Sequence, residues 1–269
     1  MTRATRTRPI RAKIVFLFDV DNTLLNNDRV TADLARYLTR EVGPKRARCY
    51  WALFEQLRKR LGYADYLGAL QQYRLKYPHD VGLLTISHFL VNYPFDKRLY
   101  PKSLDVARHV GKWGAAALLT DGDVVFQPIK VHRSGLYTAV AGRALIYVHK
   151  ELELANVERR YPATHYVVVD DKLRILAAIK KIWGKRVTTV FVKQGHYTKD
   201  PQVLASLPAA DVKVQHIGDL LDYSLKDLVP NQTTASSRKH SGARGNARTG
   251  TRMPIRIMNT SEVLTTLRR

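Results

Sequence analysis

Short apolar runs separated by longer amphipathic stretches dominate the chain from residue 14 to residue 230. Consecutive apolar positions over four to six residues are typical of strands buried on both faces of a parallel sheet. The amphipathic stretches between them are predicted to be connecting helices, and this alternation predicts an α/β fold with a Rossmann-like, doubly wound parallel sheet. The predicted strands are 14–18, 115–119, 145–148, 166–169, 187–192 and, more weakly, 212–217, and the predicted helices are 103–112, 124–134, 151–160 and 172–183.

The interval 26–95 interrupts this alternation because it contains no convincing strand. Thr31 is a suitable N-cap for a first helix and Gly43 a suitable stop, while Pro78 and Pro94 end the last two helices. We expect a helical cap that closes over the end of the first strand, the alternative being an unrelated second domain. The predicted cap helices are 31–42, 45–61, 64–77 and 80–92.

The formal net charge of +22 is concentrated at the two ends of the 269-residue chain. Residues 1–13 hold five Arg and Lys residues, and residues 231–269 hold seven Arg and one Lys against one Glu. The segment 231–252 is poor in large apolar residues, which predicts disorder. Basic ends attract polyanions without sequence preference, although a solubilising tail without a partner is the simpler interpretation. The predicted organisation is a basic N-terminal extension at 1–13, an α/β core at 14–25 and 96–230, a helical cap at 26–95 and a basic, disordered tail at 231–269.

Cysteine content and hydropathy indicate a soluble, cytoplasmic protein. Cys49 is the single cysteine, which excludes an intrachain disulfide and a zinc site made of several cysteines. No apolar run reaches the length of a membrane span. The apolar run at 14–18 follows a basic start but is too short for a signal peptide, and it leads directly into acidic residues.

Two acidic residues, Asp19 and Asp21, follow the first predicted strand. In open α/β sheets, ligands bind beyond the carboxyl ends of the strands. Strand periodicity sends both side chains to the same side, where their mutual repulsion favours a bound cation such as Mg²⁺. A solvated acidic turn is the alternative interpretation.

Three other strand ends carry polar residues in an order that resembles a known family. The segment Asp19-Val20-Asp21-Asn22-Thr23 resembles the first motif of the haloacid dehalogenase-like superfamily of hydrolases, and the resemblance extends over about 14–217. Four short motifs in order, each at a strand end, are hard to obtain by chance. The second, third and fourth motifs are matched by Thr120 in Leu-Leu-Thr-Asp-Gly, Lys150 in Val-His-Lys-Glu, and Asp170 and Asp171 in Val-Val-Asp-Asp-Lys.

The resemblance implies a role for each of these residues in the hydrolysis of a phosphate monoester. Asp19 would be the nucleophile that forms an aspartyl-phosphate. Asp21 would protonate the leaving group and then activate water. Thr120 would hydrogen-bond a phosphate oxygen, with help from the main-chain amides after it, beginning at Asp121. Lys150 would pair with both the nucleophile and the phosphate.

The resemblance also implies a Mg²⁺ site and leaves one ligand open. The expected ligands are Asp19, the Asp21 carbonyl and either Asp170 or Asp171. Asp171 aligns with the main metal-binding aspartate of the family, whereas Asp170 stands where glycine is usual. The sequence departs from the family again at Asn22, where many members have glycine, and the fourth motif lacks a second acid at positions 175 and 176.

Several residues near these motifs allow a second interpretation. Lys130 is the alternative to Lys150, but it falls inside the helix after the second strand and is expected to aim away from the strand ends. Asp121 and Asp123 could be metal ligands, but a capped acidic turn is favoured. Gly195-His196-Tyr197 lies near the same rim, and Arg74 of the insert could reach a substrate anion.

The sequence therefore predicts a magnesium-dependent phosphatase that acts on a small phosphate monoester, such as a sugar phosphate or a nucleotide. One alternative is a phosphotransferase or a phosphonate-cleaving enzyme on the same scaffold. The phosphonate-cleaving reaction needs an imine-forming lysine, for which the insert offers Lys45, Lys59 and Lys76. Another alternative is nucleic-acid binding through the basic ends.

Overall fold

A six-stranded parallel sheet forms the centre of the molecule in the computed structural model, which describes residues 12–198 and 201–229. Each predicted apolar run contains a strand. The strand order is β3-β2-β1-β4-β5-β6, which confirms the doubly wound α/β fold. The strands are β1 (Ala12–Phe18), β2 (Ala115–Asp121), β3 (Ala144–Tyr147), β4 (Ala163–Asp170), β5 (Val187–Val192) and β6 (Val212–Val214).

Helices cover both faces of this sheet, which explains why the strands are apolar at consecutive positions. In β1, Phe16 and Phe18 belong to the core on one face, whereas Val15 and Leu17 belong to the core on the other. The helices are α1 (Asn27–Leu61), α2 (Tyr66–Lys76), α3 (Gly82–Asn92), α4 (Ser103–Val110), α5 (Phe126–Arg133), α6 (Leu136–Ala139), α7 (Leu154–Arg160), α8 (Leu173–Trp183), α9 (Pro201–Ala205) and α10 (Leu225–Leu228). Helices α4 and α5 contribute to the first core, and α7 and α8 contribute to the second.

The direction of winding reverses beside β1. The chain runs outward from β1 through β2 to β3 and then returns to place β4 on the other side of β1. The carboxyl ends of β1 and β4 therefore meet at the position where open α/β sheets bind their ligands. The main-chain N–H of Asp19 donates to the carbonyl of Val169 at 2.9 Å and joins these two strand ends.

The segment after β1 is helical, as predicted, but its first helix begins earlier than expected. Asn26 is the N-cap, and its side chain accepts a hydrogen bond from the main chain of Arg29 at 2.9 Å. The prediction that Thr31 caps this helix is wrong, because Thr31 lies one turn inside α1 and donates to the carbonyl of Asn27. At Gly43 the backbone leaves helical geometry (φ 77°, ψ 163°), which separates the two predicted helices within α1.

Most of the two basic ends lies outside the described residues. Of the predicted extension at 1–13, Lys13 lies in β1, and the predicted tail at 231–269 is wholly outside. Its disorder and its contact with polyanions stay predictions. Within 12–198 and 201–229, no helix has both the length and the apolar character needed to cross a membrane.

Candidate active site

Asp19 is the first residue after β1, and its carboxylate is buried where β1 and β4 end. Its side chain is 3% exposed, and Thr23 donates to its Oδ2 at 3.3 Å. The following residues turn back sharply: Asn22 adopts a left-handed conformation (φ 61°), and the N–H of Leu25 donates to the carbonyl of Val20. This turn directs the two aspartates to different partners, although they are only two residues apart.

Lys150, which follows β3, is the direct partner of Asp19. Its Nζ lies 2.5 Å from Asp19 Oδ1, 3.2 Å from the carbonyl of Leu119 and 2.7 Å from Asp170 Oδ2. The side chain is 1% exposed. Burial disfavours the charged ammonium, but the carboxylates of Asp170 and Asp19 outweigh this effect and raise the pKa of Lys150. The site therefore holds a permanent cation against the candidate nucleophile.

Asp170 and Asp171 complete an acidic cluster at the end of β4. Asp170 Oδ1 accepts a hydrogen bond from the main chain of Lys172 at 2.8 Å, whereas both carboxylate oxygens of Asp171 are buried with no hydrogen-bond partner among the described residues. Burial, followed by the charges of Asp170 and Asp19, raises the pKa of Asp171 well above its usual value. A buried carboxylate in this state requires a proton or a cation.

The oxygen atoms of this cluster could hold a metal ion. Asp19, Asp170 and Asp171 each offer a carboxylate oxygen, and these atoms lie within 4.8 Å of one another. Carboxylate oxygens are the ligands that Mg²⁺ prefers, and the unpartnered Asp171 has both of its oxygens free for a metal. The Asp21 side chain does not belong to this group. The expectation that Asp21 offers its carbonyl to the metal stays a prediction.

Thr120 and Asp121 end β2 on the other side of the site. Thr120 is 1% exposed, and its Oγ1 accepts a hydrogen bond from Gln127 at 3.0 Å. Asp121 Oδ1 accepts from the main-chain N–H of Lys150 at 2.7 Å and so joins the β2 and β3 ends. Burial raises the pKa of Asp121 to about 6, although the nearby Lys150 opposes this rise. Asp123 accepts from the N–H groups of Val125 and Phe126, as expected for a capped acidic turn.

The prediction that Lys130 aims away from the strand ends is wrong. Its Nζ donates to both oxygens of Asp21, at 2.6 and 2.8 Å, and its side chain is 1% exposed. Helix α5 begins near the end of β2, and side chains on a helix tilt towards its N-terminus. A lysine stem is long enough to reach back from the second turn of α5 to the site.

A cavity of about 500 Å³ lies over these strand ends and is lined by both the core and the insert. The core contributes Asp21, Lys172 and His196 to its wall, and the insert contributes Arg58 and Tyr63, among others. Sequence reasoning missed Lys172 and Arg58. The position of Lys172 directly after the fourth motif was the one available signal. Arg74, considered above as an anion ligand, is exposed and is not part of this wall.

Two polar contacts connect the insert to the core at the rim of the cavity. His196 Nδ1 lies 2.6 Å from Asp28 Oδ1 near the start of α1, and Arg58 Nη1 donates to the hydroxyl of Tyr197 at 3.4 Å. Lys172 Nζ lies 5.0 Å from the centre of the Tyr197 ring, within the range of a cation–π contact. The Gly195-His196-Tyr197 segment therefore contributes to the rim on which the insert rests.

Comparisons with known proteins give a family match through structure. No protein-family model and no curated protein matches the chain. A haloacid dehalogenase-like hydrolase from Burkholderia xenovorans LB400 is 59% identical, with a TM-score of 0.76, over 79% of this chain and 99% of that chain.

Two more distant structures share the fold alone. An L-2-haloacid dehalogenase from Xanthobacter autotrophicus with covalently bound chloropropionic acid is 15% identical, with a TM-score of 0.53, over 77% of this chain and 96% of its own. The magnesium-bound HAD-hydrolase YfnB from Bacillus subtilis is 13% identical, with a TM-score of 0.52, over 80% and 98% of the two chains.

Proposed function

Because the chain belongs to the haloacid dehalogenase-like hydrolase family, we propose that it is a magnesium-dependent phosphatase that hydrolyses a small phosphate monoester. The observation that carries this proposal is the second carboxylate, Asp21, which lines the cavity two residues after the buried Asp19. The alkoxide that leaves a phosphate ester needs a proton, whereas a halide leaves without one. A proton donor beside the nucleophile is therefore useful to a phosphatase and unnecessary to a dehalogenase.

Asp19 is proposed as the nucleophile. Its Oδ1 is held by Lys150 and its Oδ2 by Thr23, which limits the directions from which it can attack. Attack on phosphorus forms an aspartyl-phosphate and breaks the bond to the alcohol oxygen, which takes a proton from the acid form of Asp21. Asp21 then removes a proton from water, and this water attacks the phosphorus to release inorganic phosphate and restore Asp19.

Positive charge for the phosphate comes from Lys150 and Lys172 in the core, and Thr120 offers its hydroxyl. Burial opposes the charge of Lys172, but Asp19 and the neighbouring acids raise its pKa, so it stays an ammonium. Asp19, Asp170, Asp171 and the Asp21 carbonyl are the groups that would hold Mg²⁺. The metal ion would offset the repulsion between a carboxylate nucleophile and an anionic phosphate.

The size of the cavity favours a small substrate. A volume of about 500 Å³ is within the range of sites that enclose small molecules, and its wall carries acids and bases from both the core and the insert. Arg58 and Lys59 lie on the insert side, opposite the strand ends. A sugar phosphate or a nucleotide fits both the volume and the polarity of this wall.

The test is product release from two panels of substrates, with and without Mg²⁺, by the wild type and by the Asp19→Asn variant. We expect inorganic phosphate from at least one phosphate monoester, dependent on Mg²⁺ and absent in the variant. Halide release from 2-haloacids without phosphate release would contradict the proposal and assign a dehalogenase. Phosphate release that persists in Asp19→Asn would remove Asp19 as the nucleophile.

One observation supports phosphonate cleavage as a second candidate function. Of the three insert lysines that could form an imine, Lys59 is the one that lines the cavity. An imine between Lys59 and a carbonyl attached to the phosphorus-bearing carbon, as in phosphonoacetaldehyde, would accept the electron pair of the carbon–phosphorus bond as an enamine, while Asp19 takes the phosphoryl group. Borohydride trapping of the protein with phosphonoacetaldehyde, followed by mass spectrometry, tests this reaction. Label on Lys59 would support it, and an unlabelled wild type would exclude it.

A further inference from the structure

Lys130, the partner of Asp21, has no role in the reaction described above. We propose that Lys130 is a positioning residue, which orients the Asp21 carboxyl group for proton transfer and connects it to Asn27, the first residue of α1 in the insert. This inference rests on the proposed function, because it assumes that Asp21 gives a proton to a leaving group.

All three N–H groups of the Lys130 ammonium have an acceptor. They face Asp21 Oδ1 at 2.6 Å, Asp21 Oδ2 at 2.8 Å and Asn27 Oδ1 at 3.1 Å. The side chain is 1% exposed, and Nζ also lies 5.4 Å from the centre of the Phe126 ring. A buried ammonium is tolerated only when it is paired and hydrogen-bonded. Because water does not reach Lys130, its ammonium group depends on these three acceptors. Its position in turn limits the orientation of Asp21.

The geometry leaves Asp21 able to react. The Asp21 side chain is 22% exposed and lines the cavity, whereas its lysine partner is fully enclosed. Each carboxylate oxygen has two lone-pair directions, and Lys130 takes one from each oxygen. A remaining direction can carry the proton that Asp21 exchanges with the substrate, and the carboxyl group has lost most of its freedom to rotate.

The third hydrogen bond of Lys130 reaches the insert. Asn27 is the first residue of α1, and its Nδ2 donates to the hydroxyl of Tyr66 at 3.2 Å. The Tyr66 hydroxyl also lies 2.8 Å from Thr31 Oγ1, and Tyr66 is 2% exposed at the start of α2. Through this chain, the orientation of Asp21 depends on the position of two insert helices. The acid is thus aligned when the insert covers the cavity.

The test compares an alkyl phosphate with p-nitrophenyl phosphate in a single turnover that records leaving-group release. An alkoxide needs protonation, whereas p-nitrophenolate leaves with little help. Lys130→Met keeps an unbranched side chain that is one atom shorter and removes its charge. We expect this variant to lose about 100-fold in rate on the alkyl ester and less than about 10-fold on the aryl ester, with little change in the KM measured separately at steady state. Asp21→Asn should show the same selectivity.

A second variant isolates the connection to the insert. Asn27→Ala keeps the ion pair between Lys130 and Asp21 but removes its contact with α1. We expect the same preference for the aryl ester to appear, at about 10-fold. If Lys130→Met does not fold, this variant alone tests whether Lys130 positions Asp21.

Two results would overturn the inference. Equal losses on both esters in Lys130→Met and Asn27→Ala, with Asp21→Asn still selective, would mean that Lys130 has only a structural role. An unchanged alkyl rate in both variants would do the same. Failure of the proposed function gives a different result, because the wild type would then release no leaving group from either ester.

Discussion

Two buried lysines each hold an aspartate of the same short motif, but their surroundings differ. Lys150 lies among Asp19, Asp170 and Asp171, whereas Lys130 faces Asp21 and a neutral amide. Both lysine side chains are 1% exposed, yet Asp19 is 3% exposed and the Asp21 side chain 22%. One pair is enclosed within the core, and the other opens into the cavity.

The difference separates two requirements of the chemistry. Around Lys150 the carboxylates outnumber the ammonium group, so the cluster is electrostatically incomplete without a further cation or proton. Around Lys130 the charges balance, and the pair needs no ion to persist. In the proposed reaction, the first region would hold a metal ion beside the nucleophile, and the second would present Asp21 to the leaving group.

The largest effect is expected from Lys150→Met. This change removes one of the two lysine cations, Lys150 and Lys172, from the buried carboxylates and leaves Asp19 without its direct ion-pair partner. We expect phosphatase activity to fall on the order of 1,000-fold and the free energy of unfolding of the metal-free protein to fall by about 3–5 kcal/mol. Activity assays and urea unfolding measure the two effects.

Lys180→Met is the matched control for this experiment. Lys180 pairs with Asp211 at 2.7 Å, but both side chains are more than a third exposed, so the pair contributes little to stability. Its removal should change the free energy of unfolding by less than about 1 kcal/mol. Equal destabilisation by the two changes would contradict the difference between an enclosed and an exposed ion pair.

Asp171→Asn tests whether the cluster of Asp19, Asp170 and Asp171 is the metal site. In the wild type, Mg²⁺ at 100 times its dissociation constant should raise the free energy of unfolding by about 2.7 kcal/mol. The variant should lose this increase and should be more stable than the metal-free wild type, because it no longer buries an unpartnered carboxylate. Thermal unfolding with EDTA and with Mg²⁺ measures both. A variant that Mg²⁺ stabilises as much as the wild type would place the metal elsewhere.

The sequence predicted the Lys150 region better than the Lys130 region, for a geometric reason. Asp19, Thr120, Lys150 and the Asp170–Asp171 pair each follow an apolar run, and the ends of parallel strands meet at one edge. Their selection came from the resemblance to the family motifs, and the strand pattern accounts for their meeting at one edge.

The contacts of Lys130 depend on how helices α1 and α5 are placed against the sheet, which the residues of each helix do not determine on their own. Lys130 reaches the site because α5 lies with its N-terminus beside β2, and the tilt of its side chain could be used only once that placement was known. The helix start was missed because Asn26 and Thr31 are both good N-caps, and the contacts of the chain after β1 decide between them. The contact of His196 with Asp28 likewise joins residues far apart in sequence.

The pH dependence of stability tests how much the burial of the Asp121 carboxylate lowers the free energy of unfolding. Its pKa rises from an ordinary 3.8 to about 6 in the folded protein, chiefly through burial. The folded state therefore binds the proton more tightly than the unfolded state, so the cost of ionisation is absent below pH 3.8 and complete above about pH 6. Asp121→Asn should raise the free energy of unfolding by about 2–3 kcal/mol at pH 8 and have little effect near pH 4. Urea unfolding across this range measures it, and a pH-independent difference would contradict the assignment.

The smallest effect is expected at the rim, where the insert meets the core through the Tyr197 hydroxyl. Tyr197→Phe keeps the ring beside Lys172 and removes only the acceptor of the Arg58 hydrogen bond. A bond of 3.4 Å at a partly exposed position is worth about 0.5 kcal/mol, so we expect KM to rise about 2-fold with kcat unchanged. Arg58→Met, alone and combined with Tyr197→Phe, completes a double-mutant cycle. If the bond holds the insert over the cavity, Tyr197→Phe adds nothing once Arg58 is gone. Additive effects would mean that Arg58 and Tyr197 act on the substrate independently, and the contact between insert and core would then depend on His196 and Asp28.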